Sequence, residues 1–142
     1  MNKNIILTDF VSYKDSKRYE LIIDLSSEIS DDWCGKIYEK GKEFDDYFSV
    51  ILREMENQSE LKIVDLFPDC KRYYLGKGIS VNIIIYLKNY FNKRIISSSN
   101  LKANNFYTEY NSDSAITNVW EKLKNLNEVE YDEEQDTYYT IP

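Results

Sequence analysis

Hydrophobic and polar positions alternate from the start of the chain. Residues 4–12 and 18–25 are rich in β-branched and aromatic side chains, the second run reading Arg18-Tyr19-Glu20-Leu21-Ile22-Ile23-Asp24-Leu25. Both predict strands, and the polar residues 13–17 between them predict a hairpin turn. Ser30-Asp31-Asp32-Trp33 reads as a helix start, with Ser30 as cap and acids in the first turn. Phe44, Phe48, Ile51, Leu52 and Met55 then follow helical spacing, and Gly35 and Gly41 divide the region into one broken helix or two short ones. Residues 61–67 predict a buried strand that Pro68-Asp69 ends. The run 79–91 is apolar and β-branched at its centre, so periodicity leaves helix and strand open; its length favours a buried helix. Residues 94–98 predict a short strand and 99–113 a long polar loop. Ser114 opens a helix to about Leu126, with Ala115, Val119, Leu123 and Leu126 on one face. Two short strands, 129–131 and 137–141, form a closing hairpin. The predicted order is β-β-α-β-α-β-α-β-β without repeats or Pro-rich linkers. It implies one α/β domain spanning residues 1–142, a mixed β-sheet with helices on both faces.

Composition narrows the chemistry. The 142 residues suit one domain with a real core. No stretch reaches the roughly 20 apolar residues of a membrane helix, and the apolar run in residues 1–9 is too short for a signal peptide. The expectation is a cytoplasmic protein. Histidine is absent, which removes His-based triads and His metal sites. Cys34 and Cys70 lack paired ligand spacing, so no metal site is expected and both read as reduced, partly buried side chains. Trp33 and Trp120 read as core anchors. The formal net charge of −7 argues against general nucleic-acid binding.

Charge is distributed in blocks. Residues 70–108 contain Lys71, Arg72, Lys77, Lys88, Lys93, Arg94 and Lys102 and no carboxylate, while both flanks are acidic. A local positive field attracts anions, although solvated lysines account for such a run equally well. Within the block, Gly76-Lys77-Gly78 stands between a predicted strand and a predicted helix. Glycines there let backbone approach a ligand, and the helix start offers free N–H groups to phosphate. The run is neither a Walker loop nor a three-glycine dinucleotide fingerprint.

The unit Arg72-Tyr73-Tyr74-Leu75-Gly76-Lys77-Gly78-Ile79 resembles the pyrophosphate loop of the GNAT N-acetyltransferase superfamily, Gln/Arg-x-x-Gly-x-Gly/Ala. Residues 61–67 resemble the family's splayed strand. Ile95-Ile96-Ser97-Ser98 resembles its next strand, and Val119-Trp120-Glu121-Lys122-Leu123 its later helix; the likeness covers about residues 61–142. It implies binding of acetyl-CoA or another acyl-CoA by Phe67, Arg72, Leu75, Gly76, Lys77, Gly78, Ile79 and Ser80. It implies direct acyl transfer to an amine, with the strand bulge and backbone N–H groups near Phe67–Cys70 polarising the carbonyl. Asp65 would accept the amine proton, with Asp69 and Glu60 in reserve. The family's glutamine or arginine position is Tyr73 here, with Arg72 one place away. Its frequent tyrosine acid is Trp120, and an indole does not supply a phenol's proton. Tyr107 and Tyr110 are the candidate replacements.

Two function classes follow. The first is a GNAT-like acyltransferase acting on an amine acceptor. The second is a catalytically degenerate GNAT-like protein that inhibits or regulates a protein partner through its acidic, Tyr-rich surface. Asp31, Asp32, Glu39, Glu43, Asp45 and Asp46 would line the approach of a cationic acceptor, or simply form a solvated face. A homodimer is compatible with either class.

Overall fold

The computed structural model describes residues 2–12, 16–27, 32–41, 48–55, 59–66, 79–100, 111 and 115–142. Strands β1 (Asn2–Val11), β2 (Arg18–Ser27), β3 (Asp32–Glu39), β4 (Phe48–Glu54) and β5 (Glu60–Leu66) form an antiparallel meander. Helix α1 (Ile79–Phe91) leads to β6 (Arg94–Ile96), which pairs parallel to β5. A π-helical turn, Ile116–Trp120, runs into the short α2 (Glu121–Asn125). The hairpin of β7 (Val129–Asp132) and β8 (Thr137–Thr140) follows, with β8 antiparallel to β6. The eight-stranded sheet has the order β1-β2-β3-β4-β5-β6-β8-β7. The fold is mixed α/β.

The helical region expected after β2, as one broken helix or two short ones, is two strands. The region read as a helix from Ser30 contains β3, and the spacing through Phe48, Ile51 and Leu52 belongs to β4. Ser30, Asp31, Phe44 and the acids Glu43, Asp45 and Asp46 lie outside the described residues. Asp32 is no helix-terminal acid. It sits opposite Arg53 in the β3–β4 register, and its carboxylate accepts from Arg53 Nε at 2.9 Å. The strand alternation of β3 is hidden by Gly35, which takes an inward position beside Ile37. A Cβ there would stand 2.8 Å from both Leu25 Cδ2 and Val50 Cγ1, so neighbouring side chains already fill the space. In β4, Ile51 is half-buried between the buried Val50 and Leu52, which mimics a helical stripe.

The other expectations for elements hold. β1, β2, β5, α1, β6, the second helical segment and the closing hairpin all fall where the pattern placed them, within a few residues. Buried positions alternate along the sheet, as in Ile6 and Phe10 of β1, Leu21, Ile23 and Leu25 of β2, and Val50 and Leu52 of β4. They join α1 (Ile79, Val81, Ile83, Ile84, Leu87) and Val119, Trp120 and Leu123 in one core cluster. Each large apolar side chain fully buried there is worth about 1.5–3 kcal/mol. Among the described residues both helices share this one core face, so the expected cover on both faces is seen on one. The opposite face carries exposed Ile5, Leu7, Val11 and Cys34. Cys34 is therefore free and exposed rather than partly buried.

The sheet curls around α1. Tyr86 of α1 bonds β1, while Lys88, two residues on, donates from Nζ to the Ile141 carbonyl just past β8 at 2.6 Å. In a flat sheet, six strand spacings would separate β1 from β8 by roughly 29 Å. Side chains from one helical turn do not span that distance, so curvature brings both ends of the sheet to the helix.

Candidate functional site

The candidate site begins with an irregularity in β5. Val50 pairs with Leu66 and Ile51 with Asp65, but Leu52 pairs with Ile63, leaving Val64 as an extra residue. Such a bulge bends its strand and increases local twist. The parallel partner stays only briefly alongside. β5 and β6 pair through Glu60–Arg94, Leu61–Ile95 and Lys62–Ile96, and there the ladder ends. Beyond it a side chain replaces the backbone link, because Ser98 Oγ donates to the Ile63 carbonyl at 2.6 Å, with the Val64 carbonyl 3.3 Å away. Past Lys62–Ile96 the described parallel strands are therefore joined by a side chain and not by a backbone ladder, towards their C-terminal ends, where open α/β sheets characteristically take ligands.

A buried polar network fixes the β6 side of this opening. Ser97 Oγ accepts from Tyr138 N at 2.8 Å, tying the segment to β8. Asn111 Nδ2 donates to the Ser98 carbonyl at 2.8 Å and to Asn100 Oδ1 at 2.7 Å. Asn111 N donates to the Ser99 carbonyl at 2.7 Å. Ser97, Ser98 and Asn111 are all buried. Sequence reasoning passed over them as part of a short strand and a polar loop. The Ser97-Ser98-Ser99 run was their one visible signal.

Helix α1 starts with Ile79 buried and Ser80 half-buried, and its first turn has no acid. Asn82 Oδ1, one turn in, is buried without a hydrogen-bond partner. A buried orphan of this kind calls for a water or a ligand group. Of the predicted site residues, Ile79 and Ser80 thus share the start of α1. Asp65 is on β5 next to the bulge, and its side chain lies outside the described set. Phe67, Arg72, Leu75, Gly76, Lys77, Gly78, Tyr107 and Tyr110 lie outside the described residues, as do Cys70 and Asp69. The described bulge is at Val64, earlier than the expected bulge near Phe67–Cys70.

The described cations of the acid-free block gather away from the start of α1. Lys88, Lys93 and Arg94 stand at the far end of α1, whose 13 residues span about 20 Å. There Lys93 Nζ lies 3.9 Å from Glu54 and Arg94 lies 3.8 Å from Glu60, with its guanidinium over the Tyr139 ring at 5.0 Å. They border a cleft of about 700 Å³ between the C-terminal end of α1 and the starts of β5 and β6. That cleft is at the opposite end of the parallel strands from the bulge.

Trp120 is fully buried, as expected of a core anchor, and stacks on Tyr138 with centroids 5.8 Å apart and planes 11° apart. Its Nε1 has no partner. Tyr138 donates its hydroxyl to Glu121 Oε2 at 2.5 Å. Burial, followed by that carboxylate, pushes its pKa up to about 12. The phenol beside Trp120 is thereby held protonated and committed to Glu121. Among the described residues no cluster of ligating side chains is placed to hold a metal ion, and no helix is long and apolar enough to cross a membrane.

No family model matches the chain, and no curated protein or solved structure matches it.

Proposed function

We propose that the protein is a GNAT-like acyltransferase that moves an acetyl or acyl group from acyl-CoA to an amine. The observation that carries this reading is the bulge in β5 just past the end of its short ladder with parallel β6, where Ser98 makes the link, immediately before the segment that leads to α1. The order of described elements after β5 (helix, strand, helix, hairpin) agrees with the resemblance over residues 61–142. The site fits such a cofactor in kind. The acid-free start of α1 suits phosphate, and the orphaned Asn82 Oδ1 suits an amide N–H.

Bound acyl-CoA would supply the activated thioester. Backbone N–H groups of Gly76–Gly78 and the α1 start would hold its pyrophosphate, with Arg72 and Lys77 adding charge-assisted contacts. Asp65, next to the bulge, would take the proton from the acceptor amine. A carboxylate does this well only if its surroundings raise its pKa towards neutrality.

A second reading has its own support. Trp120 stands where the family often has a tyrosine and is fully buried against Tyr138. A protein with the cofactor site but without a proton donor there would serve as an inhibitor or regulator of a protein partner. Calorimetric titration with acetyl-CoA separates these readings. Binding in the micromolar range that Gly76→Glu abolishes, with turnover that Asp65→Asn removes while binding persists, is the transferase result. Binding without turnover on any amine supports the degenerate protein. Absence of binding at millimolar acetyl-CoA rejects the cofactor site itself.

A further inference from the structure

The first strand carries a surface that the acyl-CoA reading does not use. β1 is the terminal strand of the sheet. Ile5, Leu7 and Val11 are 57, 70 and 60% exposed, and they occupy alternating positions on the face away from the core. Among the described residues no strand pairs with the outer edge of β1. Isolated apolar residues on a surface are ordinary, but a stripe along such an edge is a template for a further strand.

Hydrogen bonds show which backbone groups face that edge. Asp9 N donates to Tyr86 Oη at 3.0 Å, and Tyr86 Oη donates to the Asp9 carbonyl at 2.6 Å. Glu20, opposite Asp9 in the register, gives its carbonyl to Lys40 N on the β3 side. Asp9 therefore turns its backbone groups outward, away from β2. By strand alternation Ile5 and Leu7 do the same, as does the backbone at Lys3. Tyr86 caps the edge at Asp9. The usable edge before the cap is Lys3, Ile5 and Leu7, and its centre is Ile5.

We infer that β1 pairs antiparallel with β1 of a second copy of this chain, about a two-fold axis at Ile5. In that register Ile5 faces Ile5 of the second copy, and Lys3 faces Leu7, each pair exchanging both backbone hydrogen bonds. The Ile5 and Leu7 positions of both copies then form one continuous apolar strip. The occupant must be an extended strand, because the edge offers alternating donors and acceptors. It must be short, because Tyr86 ends the edge. A second β1 meets both conditions and is isologous, so the assembly closes at two. The strip is small beside standard interfaces, which places the association among weak dimers.

Sedimentation equilibrium of the full chain across the micromolar range tests this independently of any cofactor. The expected result is a reversible monomer–dimer equilibrium. Ile5→Pro removes one outward N–H and spares the β2 ladder, so it abolishes the dimer with the far-UV spectrum unchanged. Should that variant misfold, Leu7→Lys replaces an exposed side chain, puts a charge into the apolar strip and weakens the dimer roughly tenfold or more. In a Cys34→Ser/Cys70→Ser background, oxidation cross-links Ile5→Cys, and it leaves Val11→Cys, beyond the Tyr86 cap, monomeric. A chain that stays monomeric throughout overturns the inference. So does a dimer indifferent to Leu7→Lys, or open-ended assembly.

Discussion

Gly35 shows how one residue without a side chain decides a strand. It lies opposite Val50 in the β3–β4 register and opposite Leu25 in the β2–β3 register. The side chains of both neighbours occupy the space above it. Gly35→Ala is expected to destabilise the protein by about 1–3 kcal/mol, the usual cost of overpacking, read from urea unfolding midpoints. Tyr138 gives a second test at this scale. Its pKa is raised to about 12 by burial and by Glu121, against 10 for a free tyrosine. The fold favours the protonated phenol, so this contribution is fully present below pH 10 and is lost as pH rises through the raised value. Stability is expected to fall over that alkaline window, with Tyr138 ionising after the exposed tyrosines in a 295 nm titration. Glu121→Gln should lower its pKa, because the carboxylate contributes to the shift through both its hydrogen bond and its charge.

At the scale of elements, Tyr86 joins α1 to the edge of β1. It does with one hydroxyl what a neighbouring strand would do at Asp9, both accepting and donating. Tyr86→Phe leaves that N–H and carbonyl to water at a partly exposed edge, for an expected cost on the order of 1 kcal/mol. The sharper readout is hydrogen exchange, in which the Asp9 amide should lose protection while the Ile6 and Thr8 amides, which face β2, keep theirs. β5 is the second element where local geometry has wide effect. Its one-residue bulge shifts the register with β4, which resumes at Asp65 and Leu66, and Ser98 bridges to β5 with a side chain where the ladder to β6 has stopped.

At the scale of the molecule, the curled sheet and α1 divide the surface into three regions. The bulge end holds the proposed acyl-CoA site. The opposite end of α1 holds a cleft whose cations are drawn towards Glu54, Glu60 and the Ile141 carbonyl. The β1 edge holds the proposed dimer contact. Because these regions are separate, the calorimetric and sedimentation experiments report on different parts of the protein. A Leu7→Lys variant that no longer dimerises remains a valid reagent for cofactor titration. The sequence shows the acid-free block as one feature, and its described cations gather at the C-terminal end of α1. Lys88, Lys93 and Arg94 there find partners contributed by the two flanking blocks.

The second half of the chain was legible because its signals are local. α1 is long and apolar enough to exceed a strand, and the hairpin of β7 and β8 is bounded by a dense acidic turn. The first half was half legible. β1 and β2 alternate cleanly, whereas β3 hides its period behind Gly35 and β4 carries apolar residues on both faces. For β3, whether a missing side chain is a gap or a fit depends on Leu25 and Val50, residues that only the folded sheet brings together. The candidate site divides the same way. The Gly76-Lys77-Gly78 run is visible in the sequence itself, and Asp65 enters only through the family resemblance. The bulge at Val64, the Ser98 bridge and the Tyr86 cap depend on register and on contacts across as many as 77 positions of chain. Residue order alone determined which segments bury apolar surface and where charge accumulates. Tertiary structure decided which backbone groups stay unpaired, because hydrogen-bond saturation is settled only when every strand has its neighbours.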